Sequence, residues 1–344
     1  MAEQTTDALI ISSAAMQGGP VEVDQDHADG WVDLSAVEWR EVMVSVELHA
    51  QRLDRALAAA VPEFSRSYLQ QLIADGSVKV NGVEQTKSSA KVKAGDGLAV
   101  ELKPTPQSQA FKPESMALEI VYEDEFLLVI NKPAGLVVHP APGNWSGTLL
   151  NGLLARDATA ALLPRAGIVH RLDKDTSGLM VVARQRQAMD ELVRMIAARV
   201  VSRQYIALAH KPWLGAKTKN VQLPVGRDPK NRLRMAVVDL EKNAGKTAAT
   251  DVTLLDVNND FCLVQCKLHT GRTHQIRVHM AALGHPLVAD TVYGGHWAAG
   301  MQRQALHASR LAFDHPVSQA PMRFEAVLPS DMAMSLVKLG LRYN

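Results

Sequence analysis

HRLDKDTSGL, residues His170 to Leu179, is the stretch on which the reading of this chain turns. It sets Arg171 and Asp173 two residues apart, beside Asp175 and Thr176, and closes on Gly178. Apolar runs flank it: Ala166, Ile168 and Val169 before, Met180, Val181 and Val182 after. Two apolar runs around a polar, glycine-terminated segment predict two strands joined by a loop. Loops on a rigid scaffold carry a disproportionate share of reactive side chains. A carboxylate amid basic residues, with no metal-ligand pattern beside it, fits a nucleophile held in its ionised form. By itself, though, Asp-Lys-Asp-Thr-Ser-Gly is also an ordinary turn composition.

With 344 residues, the chain has length for two or more domains, each with its own core. Its 47% apolar and 21% charged residues describe a globular protein. No run of about 18 apolar residues occurs, so no membrane span is expected. The start, MAEQTTDALI, lacks the basic opening and apolar core of a secretory signal, and a cytoplasmic location is the expectation. The two cysteines, Cys262 and Cys266, alternate in FCLVQCKL and face one side of a strand. Four residues of strand span about 13 Å, beyond disulfide reach. The net charge of +1 hides an asymmetry. Residues 1–48 hold ten acidic residues against Arg40 alone, which leaves a basic body suited to a polyanionic partner.

Residues 1–42 are small, polar and acidic without sustained period, and read as a disordered tail. Residues 45–102 form a compact unit. RLDRALAAAV puts Leu53, Ala56, Leu57 and Ala60 on one helical face. SRSYLQQLIADG starts at a capping Ser65, ends at Gly76, and buries Tyr68, Leu69, Leu72 and Ile73. SVKVNGVE alternates as a strand around an Asn81-Gly82 hairpin turn. Residues 103–115, rich in Pro, Ser and Gln, read as a linker. From 116 to 330 strands outnumber helices and hairpin turns separate many of them. This predicts an α+β domain on a mixed, mainly antiparallel sheet, preceded by the small α/β module. Helices are expected at GTLLNGLLAR, over Arg186 to Arg199 with Met189, Leu192, Val193 and Ile196 as its core face, and within GRTHQIRVHMAALGH.

The segment TGRTHQIRVHM, Thr270 to Met280, changes the weight of the first. Together the two segments resemble the pseudouridine synthases of the ribosomal large-subunit type, over a span from about Val44 into the C-terminal region. The form GIVHRLDKDTSGLMVVA looks like the D-type subgroup. The unit at 45–102 resembles the small RNA-binding module named after ribosomal protein S4. The resemblance implies isomerisation of uridine to pseudouridine in RNA, with large-subunit ribosomal RNA or a pre-ribosomal particle as partner. The product is an isomer, so no redox cofactor or energy source is called for, and no cofactor or metal is expected.

Carried over residue by residue, the resemblance makes Asp173 the catalytic carboxylate, Arg277 its ion-pair partner and Tyr205, in RQYIALA, the ring that stacks on the uracil. Arg171 fills the space that the extruded base leaves, or binds phosphate. Arg272 is the runner-up to Arg277 and sits nearer the phosphates, while Leu172 and Ile276 wall the pocket. Arg52, Arg55, Arg66, Lys79 and Lys87 are assigned to phosphate contacts on the small module. A basic run, Arg227, Lys230, Arg232 and Arg234, is either a further RNA grip or a solvated loop. His139, His170, His274 and His279 do not make a zinc site, because the His274–His279 spacing is wrong for a HExxH helix and no Glu follows His274. AGKT at 244–247 lacks the first P-loop glycine, Leu240 standing there. Three alternatives stay open: a transfer-RNA pseudouridine synthase, a non-catalytic RNA-binding ribosome-assembly factor, and a carboxylate glycosidase with Asp175 as second acid.

Overall fold

The computed structural model describes residues 38–62, 66–102, 108–141 and 143–343. They belong to two compact units that divide between Pro104 and Thr105. The first contains β1 (Glu38–Met43), α1 (Leu53–Ala60), α2 (Arg66–Ala74), β2 (Val78–Val80), β3 (Val83–Glu84) and β4 (Gly97–Leu102). Its strands run in the order β1-β4-β2-β3, all antiparallel. Asn81 and Gly82 have φ of 51° and 80°, the two left-handed residues that a two-residue hairpin turn needs. Leu53, Ala56 and Leu57 of α1 and Leu69, Leu72 and Ile73 of α2 pack on Val78, Leu98 and Val100 of the sheet.

Two expectations change here. Residues 38–42 are not tail but most of β1, which pairs along its whole length with β4. Glu38, Arg40 and Glu41 masked a strand in which Val42 and Met43 are the only aliphatic side chains. The rest of the tail reading, residues 1–37, and the capping Ser65 lie outside the described residues.

The second unit contains β5 (Glu119–Glu123), β6 (Leu127–Lys132), α3 (Leu149–Arg156), β7 (Ser177–Ala183), α4 (Arg186–Ala197), β8 (Ser202–His210), β9 (Thr218–Val221), β10 (Val225–Arg227), β11 (Met235–Val237), β12 (Gly245–Lys246), β13 (Thr250–Val257), β14 (Phe261–Leu268), α5 (Gln275–Ala282), β15 (Leu306–Asp314), β16 (Pro321–Glu325) and α6 (Ser330–Leu339). The main sheet runs β5-β6-β7-β15-β8-β14-β13-β9, with β16 on β15. Its pairs are antiparallel except β7 with β15. A small sheet, β11-β10-β12, stands apart. Both faces of the main sheet are covered, so β7 is buried at every residue and reads as a continuous apolar run. On one face Leu128, Ile130, Met180, Val182, Tyr205, Ala207, Cys262 and Cys266 share a core with α3 and α5. On the other, α4 covers Leu127, Val129, Leu179 and Val181, and α6 covers Ile206, Leu208 and Leu263. No helix of the described residues is long and apolar enough to cross a membrane.

Other expectations are corrected. Val193 is 46% exposed, and the core face of α4 is Ala188, Leu192 and Met195, with Met189 and Ile196 partly buried against the same cluster. The apolar run before HRLD is not a strand. Arg165, Ala166 and Gly167 all take positive φ, and Ile168 makes a single bridge to Val182. At Gly167 a Cβ would lie 1.9 Å from the Ala183 carbonyl, so only glycine lets the backbone come this close to the end of β7. Residues 108–114, read as linker, are tied to α3: Asn151 Nδ2 donates to the Lys112 carbonyl at 2.8 Å, and Glu114 N donates to the Asn151 carbonyl at 3.0 Å. α6 runs from Ser330, the expected end of the domain, to Leu339 and buries Met332 and Leu336 in the same unit.

The loop from His170 to Gly178 is anchored at several points. Gly178, at φ 116°, meets β15 so closely that a Cβ would fall 2.3 Å from the Ala308 carbonyl. The buried Lys132 ammonium donates to the carbonyls of Pro133, Leu136 and Lys174 at 2.7, 2.9 and 3.0 Å. Arg303 donates to the Asp175 carbonyl at 2.9 Å while pairing with Asp331 of α6 at 2.7 Å. His170 Nε2 accepts from Val181 N at 3.1 Å. Burial, with the Arg203 charge as a second cause, lowers the His170 pKa from 6.5 to about 3.

Two outcomes follow. Gly178→Ala has neither the backbone angle nor the space, and should cost about 1–3 kcal/mol in a urea titration. For His170 the unfolded chain takes up a proton below pH 6.5 that the folded chain refuses. Its contribution to stability is therefore complete above pH 6.5 and lost as pH falls toward 3. Urea midpoints at pH 7 and pH 5 should differ less in His170→Gln than in the wild type.

Candidate active site

The HRLD loop, β8 and the N-terminal turn of α5 meet around one cavity of about 810 Å³, enough for a nucleotide. Its wall includes Leu172, Asp173, Tyr205, Ile276 and Arg277. Arg165, Arg171, Arg199, Arg203 and Arg272 also line it, and Asp173 is the sole carboxylate among the lining residues. A cavity with that balance of charge draws in a polyanion.

Arg277 is almost wholly buried and is shared by two carboxylates. Its Nη1 donates to Asp173 Oδ2 at 3.0 Å. Its Nε and Nη2 donate to the two oxygens of Asp290 at 2.7 and 2.8 Å, a bidentate pair. The Asp290 side chain is 1% exposed, whereas that of Asp173 is 17% exposed and open to the cavity. Burial pulls the Arg277 pKa down, but Asp290 and then Asp173 more than offset it and leave it raised. The guanidinium also stands 5.0 Å from the centre of the Tyr293 ring, whose hydroxyl is 2.8 Å from His274 Nδ1. Asp290 thus orients the cation, and Asp173 receives what is left of it.

The turn that delivers Arg277 is built by Gln275. Its Oε1 accepts from Thr270 Oγ1 at 2.7 Å and from Arg272 N at 3.0 Å, and its Nε2 donates to Thr250 Oγ1 at 2.9 Å. His274 enters α5 at φ 56°. From Gln275 to Met280 every residue of α5 is buried, so the helix has no freedom to roll Arg277 away.

Tyr205 is buried in β8, between Cys266 of β14 and Ala308 of β15. Burial pushes its phenol up to about 12, so it is neutral and presents an apolar ring with a hydroxyl. Leu172 and Ile276 belong to the same core cluster as Tyr205. Arg171 is exposed, and Arg272 is held toward Thr247 by a 3.1 Å bond from Nε to its carbonyl. The structure therefore brings Asp173, Tyr205, Arg277, Arg171, Leu172, Arg272 and Ile276 to one cavity.

The five basic residues of the first unit divide. Arg52 and Arg66 pair with the buried Asp54 at 3.0 and 2.7 Å. Arg52 first, and then Arg66, hold the Asp54 carboxyl far below its usual range. Arg55 and Lys87 are exposed, and Lys79 lies 5.6 Å from the centre of the Trp39 ring. In the basic run, Arg234 is bonded to Asp228 at 2.7 Å. Among the described residues no group of three or more His, Cys, Asp or Glu is placed to hold a metal. Sequence reasoning missed Asp290, Lys132, Arg303 and Gln275. The signal for Asp290 was weak: one acid at the end of the apolar stretch HPLVAD.

Residues 126–282 match the RNA pseudouridylate synthase family, and residues 51–98 match the S4 domain. The ribosomal large subunit pseudouridine synthase D of Neisseria meningitidis serogroup B is 46% identical over 342 residues, covering 95% of this chain and 89% of the relative. An uncharacterized RNA pseudouridine synthase of Bacillus subtilis is 43% identical over 296 residues, 85% of this chain and 95% of that protein. The solved structure of human RNA pseudouridylate synthase domain containing 1 aligns with a TM-score of 0.50 at 28% identity, covering 65% of this chain and 90% of its own. With its catalytic-type segment, its cavity and near full-length similarity in agreement, the chain belongs to the RNA pseudouridylate synthase family.

Proposed function

We propose that this enzyme isomerises uridine in large-subunit ribosomal RNA, with Asp173 as the reacting carboxylate. The observation that carries the reading is the 3.0 Å pair between Asp173 and Arg277 in a cavity rimmed by arginines. The substrate is the one named for relatives that share 44–46% identity with the chain. The bond from ribose C1′ to uracil N1 breaks, the base turns, and C1′ joins C5. Asp173 acts at the sugar as nucleophile or base, and Arg277, 3.0 Å away, aims it. Tyr205 stacks on the extruded base, and Leu172 and Ile276 exclude water around it. Arg171, exposed at the mouth, takes the place of the base in the RNA stack or holds a phosphate. The S4 domain adds phosphate contacts, for which Arg55, Lys79 and Lys87 are the candidates outside the Asp54 cluster; Arg52 and Arg66 contribute through the Asp54 pair. The setting is the cytoplasm, on ribosomal RNA or a pre-ribosomal particle. The glycosidase alternative needs a second acid, and Asp175 does not line the cavity.

Mapping pseudouridines in ribosomal RNA from cells lacking the protein tests the assignment. Loss of specific large-subunit pseudouridines, restored by the wild-type gene, supports it; loss confined to transfer RNA replaces the substrate. In vitro, Asp173→Asn should lower single-turnover isomerisation by at least about 10³-fold while RNA affinity holds, since the carboxylate is required by the chemistry and not by binding. Tyr205→Ala should weaken engagement of the base by about 1–3 kcal/mol. Tyr205→Phe keeps the ring, so a large further loss of rate in that variant assigns proton transfer to the hydroxyl.

A further inference from the structure

Arg203 stands out among the cationic residues of the cavity. It lies two residues before Tyr205 on β8, and alternate residues of a strand share a face. It is 7% exposed, lines the cavity, and pairs with no carboxylate among the described residues. Its Nε is buried without a hydrogen-bond partner. The guanidinium is packed against Gly271, where a Cβ would fall 2.8 Å from Nη1, so it has no room to swing out on that side. A buried cation without a counter-ion costs several kcal/mol and calls for an anion supplied from elsewhere.

A second orphan donor lines the same cavity. His170 Nε2 accepts from Val181 N, so the proton of the neutral ring sits on Nδ1, and that atom is buried with no acceptor. Two unpaired donors, one of them charged, thus belong to the wall that holds Tyr205. The exposed Arg165, Arg171 and Arg199 are suited to phosphates at the rim. Arg203 is set deeper, on the strand whose tyrosine meets the base.

We propose that Arg203 is a further catalytic residue, whose guanidinium binds a carbonyl oxygen of the flipped uracil and stabilises the charge that the base acquires on detachment. The proposal rests on the functional reading above. When C1′–N1 breaks, both bonding electrons stay with the base, as an anion spread over N1, O2 and O4. Asp173 supplies an electron pair to C1′ meanwhile. C5 of the turned base then donates a pair to C1′ and displaces the carboxylate. C5 loses its proton and N1 gains one, so atoms and charge balance. A fixed cation beside that anion acts where charge develops, which is the most effective place for electrostatic stabilisation. It also holds the base against escape while it turns.

The test is Arg203→Met and Arg203→Lys in the full-length enzyme, on an unmodified transcript of large-subunit ribosomal RNA. Arg203→Met should raise the urea midpoint, because the unpaired buried charge is gone. It should lower the single-turnover rate at saturating RNA by about 10²-fold or more. RNA affinity and its salt dependence should match the wild type. Arg203→Lys, which keeps the charge, should recover part of the rate. Lower stability together with lower rate in Arg203→Met, unrelieved in Arg203→Lys, makes the residue structural and overturns the proposal. So does a weaker affinity with a salt slope reduced by about one and an intact rate, which marks a phosphate contact. A wild-type enzyme that leaves the transcript unmodified overturns the functional reading, and this inference with it.

Discussion

Everything at the site depends on one buried guanidinium held between two carboxylates. Arg277 could not be buried alone, and Asp290 compensates it with a bidentate pair. That leaves Nη1 for Asp173, the partner that faces the cavity. The division follows from exposure: the sealed aspartate fixes geometry, and the open one faces the cavity. The fold serves this arrangement by burying α5 throughout its first six residues and by fastening the HRLD loop from two sides. Lys132 and Arg303 both bind its backbone carbonyls, so the loop is held by cations that do not compete for the carboxylate of Asp173.

Local sequence made the hairpin at Asn81-Gly82, the helices at α1, α3 and α5, and the alternating strands of β13 and β14 legible, because turn chemistry and periodicity act within a few residues. It failed where tertiary contact overrides local pattern. Ala166 to Val169 looks like a strand, but positive φ at Ala166 and Gly167 leaves it a single bridge to β7, and the close approach of Gly167 to the Ala183 carbonyl is a property of the fold. β1 reads as acidic tail because its charged side chains hide a strand that β4 completes. Val193 sits at helical spacing with Leu192 beside it, yet the sheet that α4 covers selects the face of Ala188 and Met195.

The same division holds at the site. Asp173 and Arg277 stand in two long motifs, and Tyr205 in RQYIALA, whose likeness to a family points to them. Asp290 and Arg203 carry no such flag. Asp290 is 13 residues from Arg277, and its role appears only through a bond that the fold closes. Arg203 precedes the tyrosine in a strand where an arginine reads as an edge residue. Its burial without a partner is a property of the assembled sheet and the Gly271 turn.

The most direct test of the central claim removes the cation that Asp173 faces without stranding a buried charge. In the double variant Arg277→Met/Asp290→Leu the buried pair is replaced by apolar side chains, so folding should be retained. Single-turnover isomerisation should fall by about 10²-fold or more while RNA still binds. A folded double variant that forms pseudouridine at the wild-type rate would contradict the account.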